Sequence, residues 1–259
     1  MATVEKPIRF YGVSDVGKRR DHNEDAFFFS ESEHYAILAD GMGGRHYGEV
    51  AANMTVDVVK EKFASFFPPS IKDLRKTEQT HCADMVICLL DEWIRAANLA
   101  VWSKGQREEQ FREMGTTVVA VYALPNMAVV AHIGDSRVYH LTGGSFRQIT
   151  DDHSFVNSQV QSGVMTAEEA QASAQKNIIT RAIGTAKHVK PEFKTPRLAS
   201  GDKLLLCSDG LSDMVVDEVI GDIVASGDPP QRILENLVSE ANANGGRDNI
   251  TVLLVDYEA

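Results

Sequence analysis

Between residues 116 and 150 the chain leaves itself little freedom of topology. The runs "TTVVAVYAL", "MAVVAHIG", "RVYHLT" and "FRQIT" follow one another with two or three residues between them. All are rich in the β-branched and aromatic residues that suit strands. A parallel pair needs a crossover of about a dozen residues or more, so connections this short make these strands largely antiparallel.

Helices must lie outside this block. Upstream, "IRFYGVS", "DAFFFS" and "HYAILAD" read as short strands. A helix beginning near Gly48 then carries Ala52, Val56, Val59, Phe63 and Phe66 at spacings of three and four, which is one helical face. "FPPSIKDLRKTEQTH" interrupts the pattern with prolines and charges and reads as a surface loop. A second amphipathic helix presents Val86, Leu90, Trp93, Ala97 and Val101. Residues 151–185 read as helical and polar, with Gly163 as a helix stop and "TAEE" at Thr166 to Glu169 as a capping box. The chain closes with a buried strand "KLLLCSDG", two helices and a final strand "NITVLLVDY". Asp228 before Pro229 and Pro230 starts the last helix, whose inner face is Ile233, Leu237 and Ala241. No repeat or low-complexity linker divides the chain, so the expectation is one α+β domain over 1–259, strands in the middle and helices outside.

Charge narrows the partners. With 26 Lys and Arg against 37 Asp and Glu, the net charge is -11, which argues against nucleic acid, whose binding rests on cationic side chains neutralising phosphates. No apolar run has membrane-spanning length and "MATVEKPIRF" lacks the pattern of a secretory signal, so a cytoplasmic protein without membrane attachment is expected. Cys82, Cys88 and Cys207 form an odd set with no metal-finger spacing and read as buried, reduced thiols. His81-Cys82 does not open a cysteine-phosphatase signature, because Cys88 stands where the phosphate-binding arginine belongs.

Aspartates punctuate the strand ends. "AILADG" delivers Asp40, "VAHIGDSR" delivers Asp135, "LLLCSDGLSD" delivers Asp209 with Asp213 one helical turn on, and "GGRDNIT" delivers Asp248. If they share one site, their repulsion raises their pKa values and destabilises the fold unless cations neutralise them. Oxygen ligands without His or thiolate suit hard ions, Mg²⁺ or Mn²⁺. Gly41, lacking a Cβ, can turn its carbonyl toward such an ion. "SDVGKRRDHNED" adds Arg19, Arg20, Glu24 and Asp25; an arginine here is either a solvated surface group or a bidentate grip on phosphate.

In order and approximate spacing, "SDVGKRRDHNED", "ADGMGG", "MGTT", "HIGDSR", "LCSDGLSD" and "GGRDNIT" resemble the metal-dependent protein phosphatases, the type 2C serine/threonine phosphatases, in their bacterial form. The resemblance covers nearly the whole chain. It implies a four-layer αββα sandwich, two central antiparallel sheets flanked by helices, with a binuclear Mg²⁺ or Mn²⁺ centre at one edge. Asp40 would bridge both ions, the Gly41 carbonyl would bind one, and Asp209 and Asp248 would complete the other. Glu24 would hold metal-bound waters, while Asp135, Asp209 and Asp213 match a third, weaker site. Arg20 matches the phosphate-gripping arginine, and Arg19 does not align. The activity implied is hydrolysis of phosphoserine and phosphothreonine in proteins by a metal-activated water, on substrates shared with a serine/threonine kinase, by a monomer.

Two features depart from eukaryotic relatives or stand apart. Met42 occupies the place of a histidine general acid, so a metal-bound water is expected to protonate the leaving group, with His46 a lesser candidate. Residues 151–184 match a flap beside the cleft. Rival phosphohydrolases lack their signatures here: no Asp-x-Asp nucleophile at the first strand, no Gly-Asn-His-Glu, no P-loop. A non-enzymatic alternative is a pseudophosphatase that binds phosphoproteins as a regulator.

Overall fold

The computed structural model describes residues 8–43, 47–66 and 79–258. Its strands form two sheets. One has the order β1 (Ile8–Asp15), β11 (Ile250–Tyr257), β10 (Asp202–Cys207), β7 (Arg137–Thr142), β8 (Ser145–Gln148). The other runs β2 (Asp25–Ser30), β3 (Tyr35–Met42), β5 (Val118–Leu124), β6 (Met127–Ile133), β9 (Glu192–Lys194), with the two-residue β4 (Gly115–Thr116) paired to the end of β3. Every pairing is antiparallel.

The short connections from 116 to 150 hide one break. β5 pairs β6 and β7 pairs β8, but β6 and β7 lie in different sheets. The chain steps between sheets at Gly134, whose φ of +107° suits glycine and whose missing Cβ leaves room for Thr117. The aspartate that follows, Asp135, is therefore set at the seam between the sheets.

Helices cover both outer faces. α1 (Gly48–Phe66) and α2 (Gln79–Arg107) lay Val56, Val59, Phe63, Val86, Leu90, Trp93, Ala97 and Val101 on the β2–β9 sheet. Phe63 stacks on Tyr35 at 3.7 Å and meets Trp93 edge-on at 4.7 Å. On the far side α6 (Asp217–Val224) and α7 (Pro230–Ala243) bury Ile220, Val224, Ile233, Leu237 and Ala241 against the other sheet. Between the sheets lie Leu38, Val119, Val121, Leu204, Leu206, Leu253 and Val255. Four layers, αββα, result.

Several expectations need correction. Helix α2 already begins at Gln79, inside the stretch read as a loop, because "QTHCADMVICLL" brings Cys82, Ala83 and Val86 onto the core face; the rest of that loop reading, 67–78, lies outside the described residues. Cys88 is exposed, unlike buried Cys82 and Cys207. A one-turn helix, α5 (Asp209–Ser212), precedes the two expected after β10.

In 151–185 only α3 (Phe155–Gln161) and α4 (Ala167–Ala172) are helical. The β-branched run after Asn177 pairs instead with the segment's start: Ser154 bridges Ile179, and Thr180 N–H donates to the His153 carbonyl at 2.7 Å. The capping box of Thr166 with Glu169 is present, and Gly163, φ +72°, follows the end of α3.

Candidate metal centre

The register of β2 against β3 sets Asp25 directly opposite Asp40. Strand β3 does not stop at Asp40 but continues through Gly41 and Met42, which pair with Thr116 and Gly115. The two threonines of "MGTT" grip Asp40 by its backbone: Asp40 N–H donates to Thr117 Oγ1 (3.0 Å), while Thr117 N–H (2.9 Å) and Thr116 Oγ1 (2.8 Å) donate to the Asp40 carbonyl. Thr117 Oγ1 lies 2.7 Å from Ser136 Oγ, tying Asp40 to the residue after Asp135. These partners fix the Asp40 main chain, while its carboxylate meets that of Asp25.

Gly41 has a steric reason. A Cβ there would collide with the carbonyls of Gly48 and Glu24, and Gly41 N–H donates to the Glu24 carbonyl at 3.2 Å. The same crowding draws Glu24 in, since a Cβ on Gly48 would come within 2.5 Å of Glu24 Oε2. Backbone thus approaches backbone closely where Asp40, Gly41 and Glu24 meet.

Buried Asn249 organises the other wall. Its Oδ1 accepts from Glu24 N–H at 2.8 Å, and its Nδ2 donates to the Val16 and His22 carbonyls at 2.9 Å each. Its own N–H donates to Asp248 Oδ1 at 2.9 Å. One side chain so fastens the loop of Arg20 and Glu24 to Asp248. Arg20 Nη2 donates to Asp248 Oδ2 at 2.7 Å from an exposed position at the cleft mouth. Ser208, before Asp209, donates from Oγ to Asp25 Oδ2 at 2.9 Å.

Electrostatics show the crowding. Burial, then Asp25, Asp209, Asp135 and Asp248, push the Asp40 carboxyl well above its ordinary range. Asp209 is raised by burial and by Asp135, Asp248, Asp213 and Asp25. Burial lifts Asp25 to about 7, and burial with Asp152 lifts Asp135 to about 6. Asp135 is 9% exposed, and its Oδ1 is a buried atom without a hydrogen-bond partner. Asp213 accepts from Lys176 Nζ at 2.8 Å.

Asp40, Asp209, Asp248, Asp135 and Asp213 therefore all act on one field, with Gly41, Glu24 and Arg20 around them. His46 lies outside the described residues. Asp25 was named in the sequence without a role, and Asn249, Ser208 and Thr117 were overlooked, each adjacent to a candidate residue or within one of the motifs. The donor set is oxygen throughout, it contains an orphaned buried carboxylate oxygen, and its charges repel one another; all three features fit hard divalent cations.

A second group of titratable side chains stands at the base of 151–184. Ligand atoms of His132, His153 and Glu192 lie within 4.8 Å of one another. Gly134 N–H donates to His153 Nδ1 at 3.1 Å, so the neutral ring carries its proton on Nε2, which faces Glu192 Oε1 at 3.3 Å. Arg181 Nη1 donates to that same Oε1 at 2.5 Å. His132 Nε2 donates to the Asp151 carbonyl at 3.0 Å, and the two rings stack at 4.8 Å. Burial, then His132 and Arg181, lower His153 to about 4.

Comparison with known proteins identifies the family. The model of the family "Protein phosphatase 2C" matches residues 17–250. Protein phosphatase PhpP of Streptococcus pneumoniae is 38% identical over 251 residues, 94% of this chain and 95% of that protein. The crystal structure of serine/threonine phosphatase Stp1 from Staphylococcus aureus superposes with a TM-score of 0.87 at 34% identity, covering 98% of this chain and 96% of that one. The catalytic domain of the serine/threonine protein phosphatase PstP, in complex with two manganese ions, has a TM-score of 0.82 at 33% identity, covering 96% and 98%. The family match runs from before Arg20 to beyond Asp248 and so takes in every carboxylate of the cleft described above; on it, the chain belongs to the protein phosphatase 2C family.

Proposed function

We propose that this chain is a metal-dependent protein phosphatase that hydrolyses phosphoserine and phosphothreonine, and that the carboxylate cleft is where it does so. The observation that carries this reading is the placement of Asp40, half-buried near the end of β3 directly opposite Asp25 and repelled by Asp25, Asp209, Asp135 and Asp248. Such an arrangement is stable when cations share the carboxylates.

Asp40, the Gly41 carbonyl, Asp209 and Asp248 would hold two ions, Mn²⁺ or Mg²⁺, with Asp135, Asp209 and Asp213 offering a third, weaker place. When bound, the ions supply Lewis acidity that activates water at neutral pH and offsets phosphoryl charge. The remaining work falls to the chain. Arg20 spends one N–H on Asp248, and its planar fork has further donors for phosphoryl oxygens. Glu24, held by the Asn249 bond to its N–H, orients water at the cleft. Thr116 and Thr117 keep the Asp40 backbone still, which preserves the geometry that positioning catalysis needs.

Residues 151–184 form the flap of one catalytic domain and contact the protein substrate. The phosphoryl groups removed are those that a serine/threonine kinase adds to the same proteins, and the enzyme works as a monomer in the cytoplasm. Among the described residues, no helix is long and apolar enough to cross a membrane.

Phosphate release from p-nitrophenyl phosphate with Mn²⁺ tests the reading: activity is expected, lost on chelation and in Asp40→Asn. A metal-loaded chain releasing no phosphate from this ester or from phosphopeptides would instead be a phosphoprotein-binding regulator. His46→Ala tests the proton donor. A loss as large as that of Asp40→Asn would make His46 the general acid.

A further inference from the structure

The third group of carboxylates already holds a cation, supplied by the chain. Lys176, between α4 and the Ser154–Ile179 bridge, reaches across to Asp213 with its Nζ 2.8 Å from Oδ2. Asp213 closes the one-turn helix α5 that begins with Asp209. Its partner in charge, Asp135, keeps a buried Oδ1 with no hydrogen bond. One carboxylate of the group is thus satisfied by the flap and another is unsatisfied.

We propose that Lys176 is a tethered competitor of the third divalent ion: ammonium and ion exclude each other at Asp213, so filling that place frees the flap and seating the flap weakens that ion. The inference rests on the reading of Asp135, Asp209 and Asp213 as a metal site. A lysine ammonium is a compact point charge with three donors and takes the same carboxylate oxygen that a hard cation needs. Both groups of the pair are about one-third exposed, so the pair is weak enough to be exchanged. Linkage makes the effect reciprocal: whatever factor the ion costs the latch, the latch costs the ion.

The full-length protein with its tightly held ions is titrated with Mn²⁺ while free Mn²⁺ is counted by electron paramagnetic resonance and amide hydrogen exchange is followed over 173–180. In the parent chain, exchange there should rise as the weakest class of Mn²⁺ fills. Lys176→Met should tighten that class up to about fivefold, the scale of one exposed ion pair, and leave exchange raised at every Mn²⁺ concentration. Lys176→Arg, which keeps a cation on Asp213, should behave like the parent. A tightening of Mn²⁺ in Lys176→Met with flap exchange indifferent to Mn²⁺ in the parent would be a mere field effect and would overturn the latch. Unchanged Mn²⁺ binding in Lys176→Met, with the weak class lost in Asp213→Asn, would overturn the latch while leaving the third site standing. If Asp213→Asn keeps the weak class, both readings fail.

Discussion

The cleft and the flap base are built from similar materials and balanced in opposite ways. At the flap base, Glu192 is met by Arg181, and His153 spends Nδ1 on Gly134 N–H and points Nε2–H at Glu192. The chain supplies its own cation there, and the histidine tautomer that a metal would need is already committed. In the cleft Arg20 and Lys176 reach only the rim at Asp248 and Asp213, and Arg137, paired with Asp152, offsets Asp135 only in part. Asp25, Asp40, Asp135 and Asp209 remain with carboxyls raised by burial. A cluster of metal-capable residues is therefore informative only after its internal hydrogen bonds have been subtracted.

The largest expected effect breaks the cleft. Asp40→Asn should lower kcat/KM by about 10³-fold or more, on the scale of losing a preorganised charge-stabilising group. The same change should raise the thermal midpoint of the metal-free protein, because it removes a repelled carboxylate, and should abolish stabilisation by Mn²⁺. A metal-free variant less stable than its parent would show that the aspartates are not under mutual strain.

The two regions should also respond to pH with opposite sign. Asp25 and Asp135 have folded pKa values of about 7 and 6, above the ordinary 3.8. Their stabilising contribution is full below about pH 4 and is lost as pH rises through 6 to 7. His153 is depressed from 6.5 to about 4, so its contribution is present above 6.5 and is lost as pH falls through 4. Thermal melting of the metal-free chain should show cleft destabilisation on the alkaline side, corrected by Mn²⁺. Hydrogen exchange near 151–156 should rise on the acid side whether or not Mn²⁺ is present.

Asn249→Ala should lower activity by about 10- to 100-fold, the range for residues that orient metal ligands. It should also cost roughly 2–4 kcal/mol in chemical denaturation, since three side-chain bonds are lost and their partners are left in a half-buried loop. Smallest is Arg181→Met. The Arg181–Glu192 pair is partly exposed, so stability should fall by less than about 1 kcal/mol. If Arg181 is what replaces a metal at the flap base, this variant should gain measurable Zn²⁺ binding by calorimetry that the parent lacks; no gain would mean that the His153 tautomer alone closes the site.

Much of this was legible in residue patterns. The helical periods placed both helical layers, and the aspartates at or near four strand ends pointed to one cleft. The flap base was not legible: His132, His153 and Glu192 sit in runs with no spacing signal, and they meet because β9 pairs with β6, setting His132 opposite Glu192, and because Gly134 holds His153 by two hydrogen bonds. Asn249 was hidden beside the more conspicuous Asp248, since its importance lies in three contacts with residues more than 200 positions away. The helical reading of 151–185 failed for a related reason, because Thr180 and Ile179 find partners at His153 and Ser154 rather than four residues back.

What the sequence determined by itself was local: short connections force antiparallel strands, three- and four-residue spacings give each helix an inner face, and an aspartate at a strand end is carried to a sheet's edge. Tertiary structure alone decided which strands share a sheet, with the chain crossing at Gly134 between β6 and β7. It also decided which charges are already answered. Neutralisation depends on distances of a few ångströms between residues far apart in the chain, as Lys176 does for Asp213 and Arg20 for Asp248, and Coulomb's law reads separation in space, whatever the separation in sequence.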